Sequence, residues 1–226
     1  MNLVTKRVLR RFFIVTISAL ASISAVNSAK ATNISGNLTA DNAFFAYIST
    51  NDAVLGTLVA QGNSWPTTFS FSGATLTPGV TNYLHIEAIN YGGPGAFIGQ
   101  FTLSDAGFQF ANGSQSLLTG TTNWAGIYNN DNSSVTAQPW VMPTAGVVSF
   151  GANGVGPWGT KTGISSSALW IWPNDASSLP GVAACEFCTV DFSTPIISTI
   201  PEPATLLMLG SGIIGLAGLF RRKRTL

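Results

Sequence analysis

From Thr39 to Leu103 apolar positions alternate with polar or small ones at a period of two, the pattern of strands that bury one face. Thr39 to Ile48 predicts a strand entered from an Asp41-Asn42 turn, with Phe44, Ala46 and Ile48 on one face and Phe45 and Tyr47 on the other. Val54 to Ala60 and Thr67 to Phe71 predict two more, separated by turn formers such as Thr50-Asn51-Asp52. In Tyr83 to Asn90, Leu84, Ile86 and Ala88 alternate with His85, Glu87 and Ile89. The turn Tyr91-Gly92-Gly93-Pro94-Gly95 and the run Ala96 to Leu103 follow, so Tyr83–Leu103 reads as a hairpin. Later strands are expected at Ser116–Thr119, Val147–Phe150, Ala168–Trp172 and Val182–Phe192. Loops are expected at Asn112-Gly113, Asn129–Ser134 and Gly151–Gly159. Many short strands broken by Gly and Pro predict an all-β fold, a β-sandwich or jelly roll.

The two ends of the chain follow a different pattern. Lys6, Arg7, Arg10 and Arg11 precede an apolar stretch from Phe12 to Val26, and Ala29-Lys30-Ala31 offers a small-x-small cleavage site. Residues 1–31 therefore read as a secretory signal peptide, a helix to be removed by signal peptidase. At the other end Pro201-Glu202-Pro203 leads into Ala204–Phe220, 17 residues without charge, and then Arg221-Arg222-Lys223-Arg224. As a helix that run spans roughly 25 Å, the short end of a bilayer crossing, and the cations keep its far end cytoplasmic. Gly210, Gly212, Gly215 and Gly218 weaken it as an anchor and allow close approach of another helix. The expected organisation is 1–31 signal peptide, 32–196 β-sandwich, and 197–226 sorting segment with a transmembrane helix.

That C-terminal order resembles the PEP-CTERM sorting signal of Gram-negative bacteria, carried by Pro201, Glu202 and Pro203, the Gly-rich apolar run and the basic end. The resemblance implies recognition by an exosortase, a Cys-dependent membrane transpeptidase that cuts near the motif. It also implies an inner-membrane intermediate and a final place at the cell surface or in the extracellular matrix. A plain C-terminal membrane anchor is the other reading of the same residues. Such tails accompany passengers of very different kinds and fix an address, not an activity.

Composition sharpens the picture of the middle. The whole chain has a formal charge of +1, but between Thr32 and Ile200 the only base is Lys161, against eight acids, a formal charge of −7. A basic footprint is absent, which excludes nucleic acid as a partner. The segment is rich in Gly, Ser, Thr, Asn and aromatics and poor in Lys and Glu, as a strand-and-turn domain requires. Thr39–Ile48, Trp65, Leu76-Thr77-Pro78-Gly79, Tyr83–Asn90 and Gly92–Ile98 together resemble the galactose-binding-like sandwich, with a looser likeness at Trp170-Ile171-Trp172. Thr50-Asn51-Asp52-Ala53 stands where that pattern has a small-Gly turn. The resemblance implies sugar binding in some members and scaffolding in others.

The candidate chemistry is sparse. Cys185 and Cys188, three apart in an exported chain, predict a local disulfide pinning a turn. A redox motif would need a following helix, and zinc would need more ligands. His85, the sole histidine, sits mid-strand without a nucleophile motif and reads as a packed or surface residue. Glu87, Asp105, Asp131, Asp175 and Asp191 could contain a glycosidase pair, though spacing alone shows none. Asp41, Asn42 and Asp52 put oxygen ligands on turns, which suits calcium, the one cofactor considered; they are equally ordinary turn formers. Trp124 and Trp158 lie in Gly- and Asn-rich stretches, where flat rings can stack on sugars or cap the sandwich as core. The expectation is a non-enzymatic, exported, exopolysaccharide-associated protein whose sandwich binds polysaccharide. A secreted glycan hydrolase and a purely structural or adhesive surface protein are the alternatives.

Overall fold

The computed structural model describes residues 31–199 apart from 132, 133, 135, 180, 181 and 184. The expected signal helix and the C-terminal transmembrane helix, with Pro201, Glu202 and Pro203, lie outside the described residues. Fourteen strands are described: β1 (Asn33–Asp41), β2 (Ala43–Ser49), β3 (Thr57–Gly62), β4 (Phe69–Thr75), β5 (Asn82–Tyr91), β6 (Ala96–Leu103), β7 (Phe108–Phe110), β8 (Ser116–Leu118), β9 (Ala125–Asn130), β10 (Val147–Ala152), β11 (Leu169–Pro173), β12 (Ser177–Leu179), β13 (Val182–Ala183) and β14 (Phe187–Ser198). The only helix among the described residues is a 3-10 turn, Asn174–Ala176.

Two six-stranded antiparallel sheets make a sandwich. The first runs β10-β11-β6-β1-β4 with β8 added to β6, and the second runs β3-β2-β5-β14-β7 with β9 added to β14. Inward faces meet in one core, where Leu38, Phe97 and Phe101 of the first sheet face Phe44, Ile86, Val190 and Phe192 of the second. Gly36 is required there: a Cβ would lie 2.5 Å from the Phe101 ring and 2.7 Å from that of Phe71.

Chain connectivity departs from the sequence expectation in three places. Val182–Phe192 divides into β13, which pairs with β12, and β14 of the second sheet. Thr39–Ile48 is not one strand; it is cut at Asn42, and its halves enter different sheets. The Asn42 N–H donates to the Ile89 carbonyl at 2.7 Å, and its side-chain oxygen accepts from the Tyr91 N–H at 2.8 Å. Tyr83–Leu103 is not a hairpin either: β5 pairs with β2 and β14, whereas β6 pairs with β1, β11 and β8. The Gly-rich turn carries the chain over the end of the sandwich. Each strand thereby turns its apolar face to the shared core, an outcome periodicity does not distinguish from a hairpin.

Strand β14 continues past Phe192 and carries Pro195 inside a sheet. Its outer edge pairs with β9 over Thr189–Ser193 and with β7 over Ile196–Ser198. Pro195 falls in the gap between those partners, where a missing N–H costs least.

The sandwich has two distinct poles. At the near pole both ends of the domain are tied to one turn. Thr32 Oγ1 donates to Asp105 at 2.6 Å and Ser104 N–H to the Asn33 carbonyl at 2.9 Å. Thr199 N–H donates to the Gly107 carbonyl at 3.0 Å, and its hydroxyl to that of Ala106. The far pole carries Asn42, the Asn63–Thr68 loop, Gly92–Gly95 and the Cys185–Cys188 turn.

Candidate functional site

The alternation in β5 predicts one buried and one exposed face, yet both faces are buried. His85, Glu87 and Ile89 have no exposed surface, and neither has Asp191 of β14. The cover is a strap, residues 136–145, stitched to β9 by reciprocal backbone hydrogen bonds between Gly126 and Ala145 at 2.9 and 3.1 Å. Trp140 of the strap stacks on His85, ring centroids 4.1 Å apart, and its Nε1 donates to the Asp52 carbonyl at 2.8 Å.

Beneath the strap, register sets Glu87 of β5 directly opposite Asp191 of β14. Such cross-strand neighbours have Cβ atoms about 5 Å apart. Each carboxylate uses one oxygen to hold the strap: Glu87 Oε1 accepts from the Gln138 N–H at 2.7 Å, and Asp191 Oδ2 from the Val141 N–H at 2.9 Å. Asn129 also donates to Asp191 Oδ2, at 2.7 Å. Glu87 Oε2 and Asp191 Oδ1 are buried and have no partner among the described residues. Burial pushes Glu87 up to about 7, against the pull of the Gln138 N–H. Burial likewise pushes Asp191 up to about 8; the Val141 and Asn129 donors oppose this and the neighbouring Glu87 adds to it. Two carboxyls so placed favour a proton between them over two charges.

Beside this pair, His85 Nε2 lies 3.0 Å from Asp52 Oδ1, and the Ser193 hydroxyl donates to the same oxygen. Burial holds the imidazole below its ordinary value despite Asp52. The order is Ser–Asp–His, with the carboxylate in the middle. A nucleophilic serine needs the histidine in the middle to take its proton, so this trio orients groups and activates none.

The outer face of the first sheet is covered by residues 151–168. Trp158 is 3% exposed, stacks on Trp170 at 4.9 Å, and donates to Asp41 Oδ2 at 2.9 Å. Trp124 is 5% exposed, packs against Phe97 and Phe101, and donates to the Leu118 carbonyl at 3.1 Å. The two rings proposed for sugar stacking therefore sit inside the packing. Lys161 is buried too, its ammonium 4.5 Å over the Trp65 ring, a cation–π contact. Asp41 and Asn42 lie at the far pole, where Asp41 Oδ2 accepts from Trp158, Asp41 Oδ1 is buried without a hydrogen-bond partner among the described residues, and Asn42 Oδ1 accepts from Tyr91, while Asp52 is at the other end of β2, roughly 20 Å away. Among the described residues no group of three or more His, Cys, Asp or Glu side chains could hold a metal ion. Cys185 and Cys188 are bonded, and Asn90 ties that turn to the Gly92–Gly95 loop by donating to the Cys185 and Gly93 carbonyls.

An open polar groove of about 390 Å³ adjoins Lys161, lined by Asn37, Pro66, Thr68, Ser70, Thr160, Thr162 and Gly163. Ser70 Oγ donates to Asn37 Oδ1, and Asn37 Nδ2 to the Gly163 carbonyl, both at 2.7 Å. Gly163 is at φ +82°, and a Cβ there would press on the Asn37 amide at 3.3 Å. Sequence reading missed this groove because its residues come from three distant segments. It also left Glu87 and Asp191 among five acids whose spacing shows no pair; the signal was an acid in the middle of each of two strands otherwise without Asp, Glu, Lys or Arg.

No helix among the described residues is long and apolar enough to cross a membrane. No curated protein and no solved structure matches the chain. The family model of the PEP-CTERM protein-sorting motif matches residues 199–224. The chain thus carries a PEP-CTERM motif directly after a two-sheet β-sandwich, and that motif supports export through an exosortase-dependent surface-sorting pathway.

Proposed function

We propose that this is an exported, exosortase-sorted protein of the cell surface or extracellular matrix, without catalytic activity, whose sandwich serves as a structural module. The observation that carries the reading is the sorting motif joined to the last strand of the domain. Two observations among the described residues support the non-enzymatic part: the Glu87–Asp191 pair is sealed under the strap, and Ser193 bonds Asp52 with no histidine between them. Signal peptidase and exosortase are the processing partners, and the tail holds the precursor in the inner membrane until it is cut. We keep the galactose-binding-like description of the sandwich as part of this proposal; two six-stranded antiparallel sheets are compatible with it.

A second reading, polysaccharide binding, is favoured by the groove at Asn37, whose amide and hydroxyl lining suits sugar hydroxyls. Calcium is not part of either reading.

The test is expression of the full chain in a Gram-negative host with and without an exosortase. With the enzyme, a shortened product is expected at the surface. Alanine in place of Pro201, Glu202 and Pro203 should leave full-length tail in the inner membrane. Equal surface yield from that variant would sink the sorting claim. A glycan array separates the two readings: binding abolished by Asn37→Ala supports the second, and no binding at high protein concentration leaves the first.

A further inference from the structure

We propose that the near pole of the sandwich is a membrane-facing surface, resting against the lipid interface while the sorting tail is inserted. The inference rests on the sorting reading above and adds the orientation of the domain and the side chains that make the contact.

Three observations converge on this pole. First, the domain begins and ends there: Thr32, which follows the expected leader cleavage site, and Thr199, which precedes the tail, are held by the same Ser104–Gly107 turn. Second, the tether is short. Ile200, Pro201, Glu202 and Pro203 alone separate Thr199 from the apolar run at Ala204, at most about 17 Å of fully extended chain. With a headgroup layer of roughly 5–7 Å per leaflet, even a fully extended tether leaves the near pole at most about 10 Å beyond it, and any shorter path brings the pole into contact. Third, the side chains fit the place. Val54 is 54% exposed, Val80 42% and Ile197 38%, all in the near-pole turns or the last strand residues, against Phe187, 55% exposed, at the far pole. Beside Val54 a groove of about 630 Å³ is lined by Ile48, Val54 and Val59 among hydroxyl and amide side chains, without a charged residue. The near-pole acids are engaged: Asp52 with His85 and Ser193, and Asp105 with Thr32 and Ser104. Turns tipped with valine and isoleucine, with their carboxylates hydrogen-bonded back into the domain, can meet the interface with their apolar tips while Asp52 and Asp105 stay at its polar level. With a domain charge of −7 and no base at this pole, the partner is a zwitterionic lipid surface rather than an anionic one. The far pole, with the Gly92–Gly95 loop and the disulfide turn, then faces outward.

The test uses the full chain, produced in an exosortase-free Gram-negative host so that the leader is removed and the tail retained, then reconstituted in phosphatidylcholine vesicles. A nitroxide is attached at V54C or V80C on the near pole and at N63C on the far pole. The native cysteines are bonded to each other and do not compete for the label. Collisional broadening should show Val54 and Val80 sites several-fold more accessible to oxygen than to an aqueous nickel chelate, with the opposite ratio at Asn63. A chain that floats with the vesicles but shows the aqueous ratio at all three sites overturns this proposal and leaves the sorting reading intact. A tail-bearing chain that does not float overturns both.

Discussion

Glu87 and Asp191 set the residue-scale behaviour of the domain. Both carboxyls titrate higher in the folded state than in the unfolded chain, so the folded state holds protons the unfolded state has released. Their contribution is complete below about pH 4 and is lost as pH rises through 7 to 8. His85 is lowered, so its contribution is lost as pH falls, but it is one group against three, since burial raises Asp41 as well. The unfolding midpoint is therefore expected to drop by about 5 °C or more between pH 5 and pH 8, read by circular dichroism. Glu87→Gln with Asp191→Asn keeps the strap's acceptors and should flatten that slope; an unchanged slope would show that other groups set it. Trp158→Ala should cost about 3–5 kcal/mol in urea unfolding, since it empties a buried site and leaves Asp41 without its donor. A loss below about 1 kcal/mol would favour sugar stacking over core packing, the two roles the sequence left open for Trp158.

At the scale of elements the strap is the informative piece. It has no regular secondary structure, and it is held by two backbone donors to the carboxyls, one bridge to β9 and the Trp140–His85 stack. Trp140→Ala should open it. The His85 titration, followed by proton NMR of the single histidine, is expected to move up toward 6.5 as water reaches the ring, and the Gln138 and Val141 amides should exchange faster. An unmoved titration would mean the carboxyl contacts suffice. The disulfide is a smaller device. Its closed loop is so short that replacing both cysteines by alanine should cost about 2 kcal/mol at most. Most strands were legible at this scale because alternation survives in the chain. Phe108–Phe110 and Ser177–Leu179 were not, being too short to show a period, and Ala125–Asn130 was hidden by its turn-forming Asn pair.

At the scale of the whole molecule, both domain ends leave from one pole, so a single tether can present the opposite pole outward. Processing also changes the electrostatics: all the bases but Lys161 lie at or before Lys30 or from Arg221 onward, so the fully processed form should focus far to the acidic side of the precursor. A product that still focuses near neutrality would show that the basic tail is retained.

The amino-acid order alone determined the sorting motif and the class. A Pro-Glu-Pro stretch with an apolar run closed by four bases, and strand alternation between Gly and Pro turns, are local patterns, each readable within a few residues because charge, hydropathy and backbone preference are properties of single positions. Tertiary structure alone decided which strands pair, that the Asn42 and Gly92–Gly95 connections cross between sheets, and that both outer faces are covered. It also buried Trp124 and Trp158, brought Glu87 opposite Asp191, and joined Asn37, Ser70 and Gly163 around one groove. Those outcomes depend on contacts between residues up to more than a hundred positions apart. Their energies come from shared burial and from hydrogen bonds between segments, and no single segment carries a record of its distant partner.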